Sequence, residues 1–219
     1  SMTMYEGLYP VENKFKYPKA GEQNSIVDVY VYDVKSGNAK KMETGSENDQ
    51  YLPRILWTET ENLLSIQRLN RLQNNWQILL ADTKTGKTRI AFEESDSSYI
   101  DITDDLTYLP GGELALMTSE RSGFRHIYLH KTEGPEIFQI TKGNWEVGDI
   151  IGYDDSKKQI YYTSYENSPL EKHIYRIDID GKNKTDLIPE TGMHSAQFST
   201  DFSYFLHITS DINTPATYT

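Results

Sequence analysis

Cysteine is absent from the 219 residues. That excludes disulfides, thiolate nucleophiles and cysteine-bound metals, and leaves the compartment open. Long apolar runs are absent too. Nothing approaches the ~18 consecutive apolar residues of a membrane helix, and mean hydropathy is −0.66. No membrane span is expected. The first twenty residues are polar and hold Tyr9-Pro10 and Tyr17-Pro18, so they do not read as a signal peptide. The chain is read either as intracellular or as an internal piece of a longer protein. Dense basic runs are missing as well. Lys and Arg total 22 against 33 Asp and Glu, a net charge of −11. A nucleic-acid partner is therefore not expected. The acidic excess reads as a solvated surface.

The sequence also lacks most signatures of catalysis. There is no Gly-x-Ser-x-Gly nucleophile elbow, no phosphate-binding Gly-rich loop and no His-Glu-x-x-His. His126 and His130 are four apart. On a strand that spacing is about 13 Å, too far for one ion. Asp178 to Asn183 superficially resembles a calcium loop but lacks its ligand pattern and terminal Glu. It reads as a hairpin turn, with Asp180-Gly181 suited to type I′. Glu93-Glu94 could grip an ammonium group, but its polar surroundings favour a solvated acidic patch. Asn183-Lys184-Thr185 is a glycosylation sequon, informative only in a eukaryotic secretory setting. Trp57, Trp76 and Trp145 are expected to pack between sheets, and Arg68 and Arg71 to pair with nearby acids. No catalytic residue, metal or cofactor is expected in this chain.

What the sequence has is strand. There are 16 Tyr and 3 Trp, residues that fit pleated surfaces. The stretch from Glu120 to Val147 shows the pattern. Arg125, Ile127 and Leu129 alternate with His126, Tyr128 and His130, Glu133-Gly134-Pro135 breaks the run, and Glu136 to Ile140 resumes it. Similar units recur. Their third strands end at Asp33, Asp82, His130 and Asp178, at intervals of 49, 48 and 48 residues. A near-constant period with four short strands per unit is the mark of a β-propeller, whose blades must stack to bury their faces. The fold class is therefore all-β: a partial β-propeller of about four to five blades, each of four antiparallel strands. Ser1 to Ala20 reads as an irregular lead-in. Cut blades at both ends would leave raw edges that invite pairing with other chains.

Several stretches resemble one family. They are Tyr17-Pro18-Lys19-Ala20-Gly21, Leu69-Asn70-Arg71-Leu72-Gln73-Asn74, Ser119-Glu120-Arg121-Ser122-Gly123-Phe124-Arg125-His126-Ile127-Tyr128 and Ile140-Thr141-Lys142-Gly143-Asn144-Trp145-Glu146-Val147. In that order they resemble the N-terminal propeller of the dipeptidyl peptidase IV family. The resemblance implies that residues 1–219 are a segment of an eight-bladed ring, in a parent that also carries an α/β-hydrolase domain. Such parents release X-Pro or X-Ala dipeptides from free N-termini with a Ser-His-Asp triad, and the propeller controls access and holds the substrate's ammonium. The triad would lie beyond Thr219, and the family's glutamate pair would precede Ser1, so Glu93-Glu94 is not that pair. The family's substrate-facing Phe-Arg pair has no counterpart in residues 96–105. Tyr99 and Asp101 are left as the candidate substrate-facing residues. The implied partners are a peptide in the parent's cavity and the parent's own hydrolase domain. The lack of cysteines and the short Lys35 to Gln50 segment suggest a bacterial homologue in the periplasm or cell envelope. They argue against the animal-type dimer while leaving a parent homodimer open. The alternative is a free-standing propeller that scaffolds other proteins; a carbohydrate-binding propeller would need aromatics exposed on one rim.

Overall fold

The computed structural model describes residues 2–5, 7–15, 20–134 and 136–219. All regular structure among them is strand. A hairpin, β1 (Met2–Met4) and β2 (Val11–Asn13), comes first. β3 (Tyr30–Asp33) and β4 (Asn38–Lys41) form a two-stranded blade. β5 (Gln50–Trp57), β6 (Leu63–Asn70), β7 (Asn75–Asp82) and β8 (Thr88–Ser95) form a complete antiparallel second blade. The third is β9 (Thr107–Tyr108), β10 (Leu114–Ser119), β11 (His126–Lys131) and β12 (Ile137–Gln139). The fourth is β13 (Val147–Asp154), β14 (Gln159–Ser168), β15 (Glu171–Asp178) and β16 (Thr185–Asp186). β17 (Met193–Phe198), β18 (Phe205–Ser210) and β19 (Thr217–Tyr218) make a three-stranded fifth blade, joined to the fourth by one parallel pairing, Lys172 with Met193.

The period-two alternation explains the stacking. Leu64, Ile66, Leu79 and Ala81 point from the second blade toward Val29 and Met42 of the first. Their neighbours Leu69, Trp76, Ile78 and Leu80 point the other way, onto Tyr108, Ala115, Met117 and Tyr128 of the third. The third blade repeats the device. Leu116, Ile127 and Leu129 meet Val147, Ile160, Tyr162 and Tyr175 of the fourth. Each middle strand is thus apolar on both faces, as a sheet covered on both sides requires.

Where a strand ends, an aspartate closes the turn. The Oδ1 of Asp33 accepts the N–H groups of Lys35 and Ser36, and that of Asp82 those of Lys84 and Thr85. Gly37 and Gly86 then take the left-handed region (φ 73° and 82°), which glycine enters freely. These hydrogen bonds hold both carboxyls below the ordinary aspartate range.

Several expectations need correction. The N-terminal lead-in contains the β1–β2 hairpin; the Tyr17 to Lys19 part of its expected turn, and Pro135, lie outside the described residues. The second blade starts at Gln50 rather than Arg54. Pro53 cannot donate to a ladder, and the strand absorbs it with a register shift between Tyr51 and Arg54 at the sheet edge. β8 runs on through Glu93 and Glu94 because both pair with β7. The Asp180-Gly181 turn is not type I′: of the two, only Gly181 has positive φ, and its N–H bonds the Asp178 carbonyl. That is a turn closed by a left-handed glycine. Trp76 is buried between blades and Trp145 packs beside the third–fourth core, but Trp57 is 59% exposed. Arg68 pairs with the Gln77 amide and the Thr44 carbonyl rather than with an acid, whereas Arg71 does lie against Asp49 as well as the Tyr51 hydroxyl.

Candidate functional site: a charged cleft at one end of the second and third blades

In an antiparallel blade, the turn between the second and third strands lies at the same end as the connection to the next blade. Here these segments are tied together. Ile100 donates to the Gln73 carbonyl, Val147 to that of Arg125, and Tyr165 to that of Glu146. One end of the assembly is therefore a continuous girdle of loops. Between the second and third blades the girdle opens into a cleft of about 200 Å³, lined among others by Trp76, Glu94, Tyr99, Asp101, Glu120 and Arg121.

The cleft is built from its floor upward. Phe92 and Tyr128, from facing blades, both lie under the guanidinium of Arg121, at 5.0 and 5.1 Å from ring centres. Glu94 takes Arg121 Nη2 on Oε2 at 2.6 Å and the Ser119 hydroxyl at 2.7 Å. Cation–π contact and a charge-assisted pair fix the arginine in one geometry. Glu93 is exposed, as expected of a solvated carboxylate, but Glu94 is turned into the cleft, so the two do not form one patch. As neighbours on a strand they face opposite ways. Glu93 accepts from Asn75 and Gln77, which lower its carboxyl pKa.

Tyr99 and Asp101 sit on the rim. Tyr99 is 54% exposed, with its hydroxyl 3.5 Å from Gln73 Oε1. Between them Ile100 is buried in the interblade core, which pins the loop and turns its two neighbours outward. The structure thus brings both expected residues to one cleft. It adds Glu120 and Arg121, and it gives Glu94 a partner that the sequence did not suggest. Burial raises the Glu120 carboxyl, as do the nearby charges of Glu146 and Asp101, against a lowering by Arg125. The rim is a site of unbalanced negative charge. Arg125 itself is structural: its Nε donates to the Val147 carbonyl and its backbone N–H to Glu146.

His126 binds Thr141 and the Gly143 carbonyl, and His130 is buried beside Phe92. Among the described residues no group of three or more His, Asp or Glu is placed to hold an ion. Among the described residues no helix is long and apolar enough to cross a membrane. A larger cleft of about 510 Å³ lies along residues 26–28 and 41–50, on the first blade, but its Lys41 is already paired with Asp28.

Comparison with known proteins identifies the family. Residues 1–216 match the model of the dipeptidyl peptidase IV N-terminal region. The crystal structure of Porphyromonas gingivalis dipeptidyl peptidase 4 superposes with a TM-score of 0.89 at 35% identity, covering 99% of this chain and 31% of that one. A putative dipeptidyl aminopeptidase IV from Bacteroides ovatus shares the fold, with a TM-score of 0.84 at 22% identity, covering 97% of this chain and 33% of that one. A probable dipeptidyl peptidase 4 of Aspergillus flavus is 27% identical over 210 residues, which are 90% of this chain and 27% of the relative. The chain thus spans about a quarter of the length of such curated relatives. Its sheets are the blades of a propeller region, and the chain belongs to the dipeptidyl peptidase IV family, as part of its N-terminal region.

Proposed function

We propose that this chain is the substrate-admitting propeller segment of a serine exopeptidase that releases X-Pro or X-Ala dipeptides from N-termini. The observation that carries the reading is the family match along nearly the whole chain, coupled to a charged cleft in the girdle of loops. The parent's α/β-hydrolase domain would supply the nucleophile, base and oxyanion donors. The blades would narrow the approach so that only an extended N-terminus enters. Tyr99 and Asp101 would meet the incoming peptide, Asp101 attracting its positive charge and Tyr99 offering an aromatic face and a hydroxyl. A periplasmic or cell-envelope setting suits an enzyme that meets peptides from outside.

The test is kinetic. In the full-length parent, D101N should raise KM for a dipeptidyl chromogenic substrate by about five- to tenfold, the worth of one charge-assisted contact. The turnover number should hardly move, because binding is lost uniformly. A wild-type KM in D101N would remove Asp101 from the substrate path. The 219-residue chain alone should hydrolyse nothing.

A further inference from the structure

Three histidines meet where the fourth blade joins the fifth, at the same end of the blades as the cleft. His173 on β15 and His194 on β17 are 1% and 2% exposed, and their rings meet edge to face at 5.5 Å. His207 on β18 places Nε2 3.0 Å from His194 Nδ1. Around them stand Glu171 and Asp186, both against the His173 ring, Glu190 in the connection before β17, and Lys172, whose backbone N–H bonds Gly192. The only sheet pairing between the two blades among the described residues, Lys172 with Met193, is adjacent.

The partners dictate the protons. His194 Nε2 lies 2.8 Å from the Glu190 carbonyl, which can only accept, so this nitrogen carries hydrogen. In the neutral ring Nδ1 is then the acceptor. His207 must therefore donate from Nε2, which leaves its Nδ1 free to accept from the Thr219 hydroxyl at 3.3 Å. A first proton fits: it goes to His207 Nδ1, and the Thr219 hydroxyl rotates to accept it. A second must go to His194 Nδ1. That nitrogen would then point its hydrogen at the N–H of His207, two donors and two positive charges face to face.

We propose that the His194–His207 pair is a proton-limited latch on the seam between the fourth and fifth blades, closed with no proton or one and opened by the second. Burial and the neighbouring His194 hold His207 below the ordinary histidine value, so closure prevails at neutral pH. Acidification would loosen β17 and β18 at the girdle and leave the apolar stack of the earlier blades in place.

Hydrogen exchange by mass spectrometry on the full-length parent tests this. After correction for the intrinsic pH effect, peptides covering β17 and β18 should exchange about tenfold faster at pH 5.0 than at pH 7.5. Peptides of β6 and β7 should not change. H207Q keeps an amide donor for His194 but cannot titrate, so the pH step should vanish. H194Q, whose amide accepts from His207 and donates to Glu190, should behave alike and serves if H207Q does not fold. No local step in the wild type, or the same step in the glutamine variants, overturns the latch.

Discussion

The Arg121 side chain is held from two directions, by aromatic faces below and by Glu94 beside it, and Glu94 is only 10% exposed. E94A would leave the guanidinium, which is 28% exposed over two aromatic faces, without its anion. A loss of about 2 kcal/mol is expected in urea unfolding, in the range for hydrogen bonds to charged groups. E94Q, which can still accept from Ser119, should lose less. His130 gives a second residue-level prediction. Burial lowers its pKa, with the charges of Arg121 and Arg89 adding to the effect and the backbone at Glu136 and Ala91 opposing it, and neither ring nitrogen has a well-formed hydrogen bond among the described residues. The folded state therefore favours the neutral ring. That contribution is complete above about pH 6.5, the unfolded value, and is lost as pH falls through the lowered folded value. H130F should flatten the decline in unfolding free energy between pH 7 and 5. Asp154 works at the other end of the scale. Lys157 and Ser156 hold it at about 2, so its stabilisation is present above about pH 4 and fades as pH falls toward 2. These roles were not legible in the sequence. Glu93 and Glu94 looked like a polar loop because their partners, Gln77, Ser119 and Arg121, are brought in by strand pairing and blade stacking. Tyr99 and Asp101 were readable only by position, and Ile100 between them is what turns both to the rim.

At the scale of elements, alternation was the legible signal. The period of two assigns Ile127 and Tyr128 to opposite faces of one strand, and each lies in its own interblade core. Ile127 is fully buried on the middle strand β11. I127A should cost about 2–5 kcal/mol through lost burial and the cavity left behind, read as a lower midpoint with an unchanged slope in urea. Gly143 is a sharper case. Its φ is 151° and the Trp145 indole occupies the place a Cβ would take. G143A must displace that ring from His126, which it meets at 4.8 Å. A shifted tryptophan emission maximum together with lost stability is expected; an unchanged spectrum would mean that the ring does not depend on this glycine. What periodicity could not give was extent. Pro53 hid the start of β5, and the β1–β2 hairpin has too few residues for a pattern.

For the whole molecule, the interval of about 48 residues revealed the blades and the order of the segments revealed the family. The outer faces of the end blades expose Tyr30, Tyr32 and Val34 on one side and Tyr204, Leu206 and Tyr218 on the other. Faces of this kind promote association. Light scattering of the isolated chain should therefore report species larger than 25.2 kDa. We propose that these blades serve a dipeptidyl peptidase without carrying its chemistry. The most direct measurement assays Gly-Pro chromogenic substrate hydrolysis by the full-length parent and by residues 1–219, purified side by side. The account predicts a serine-reagent-sensitive activity in the parent and none in the chain. An inactive, well-folded parent, or activity that copurifies with the isolated chain, would contradict it.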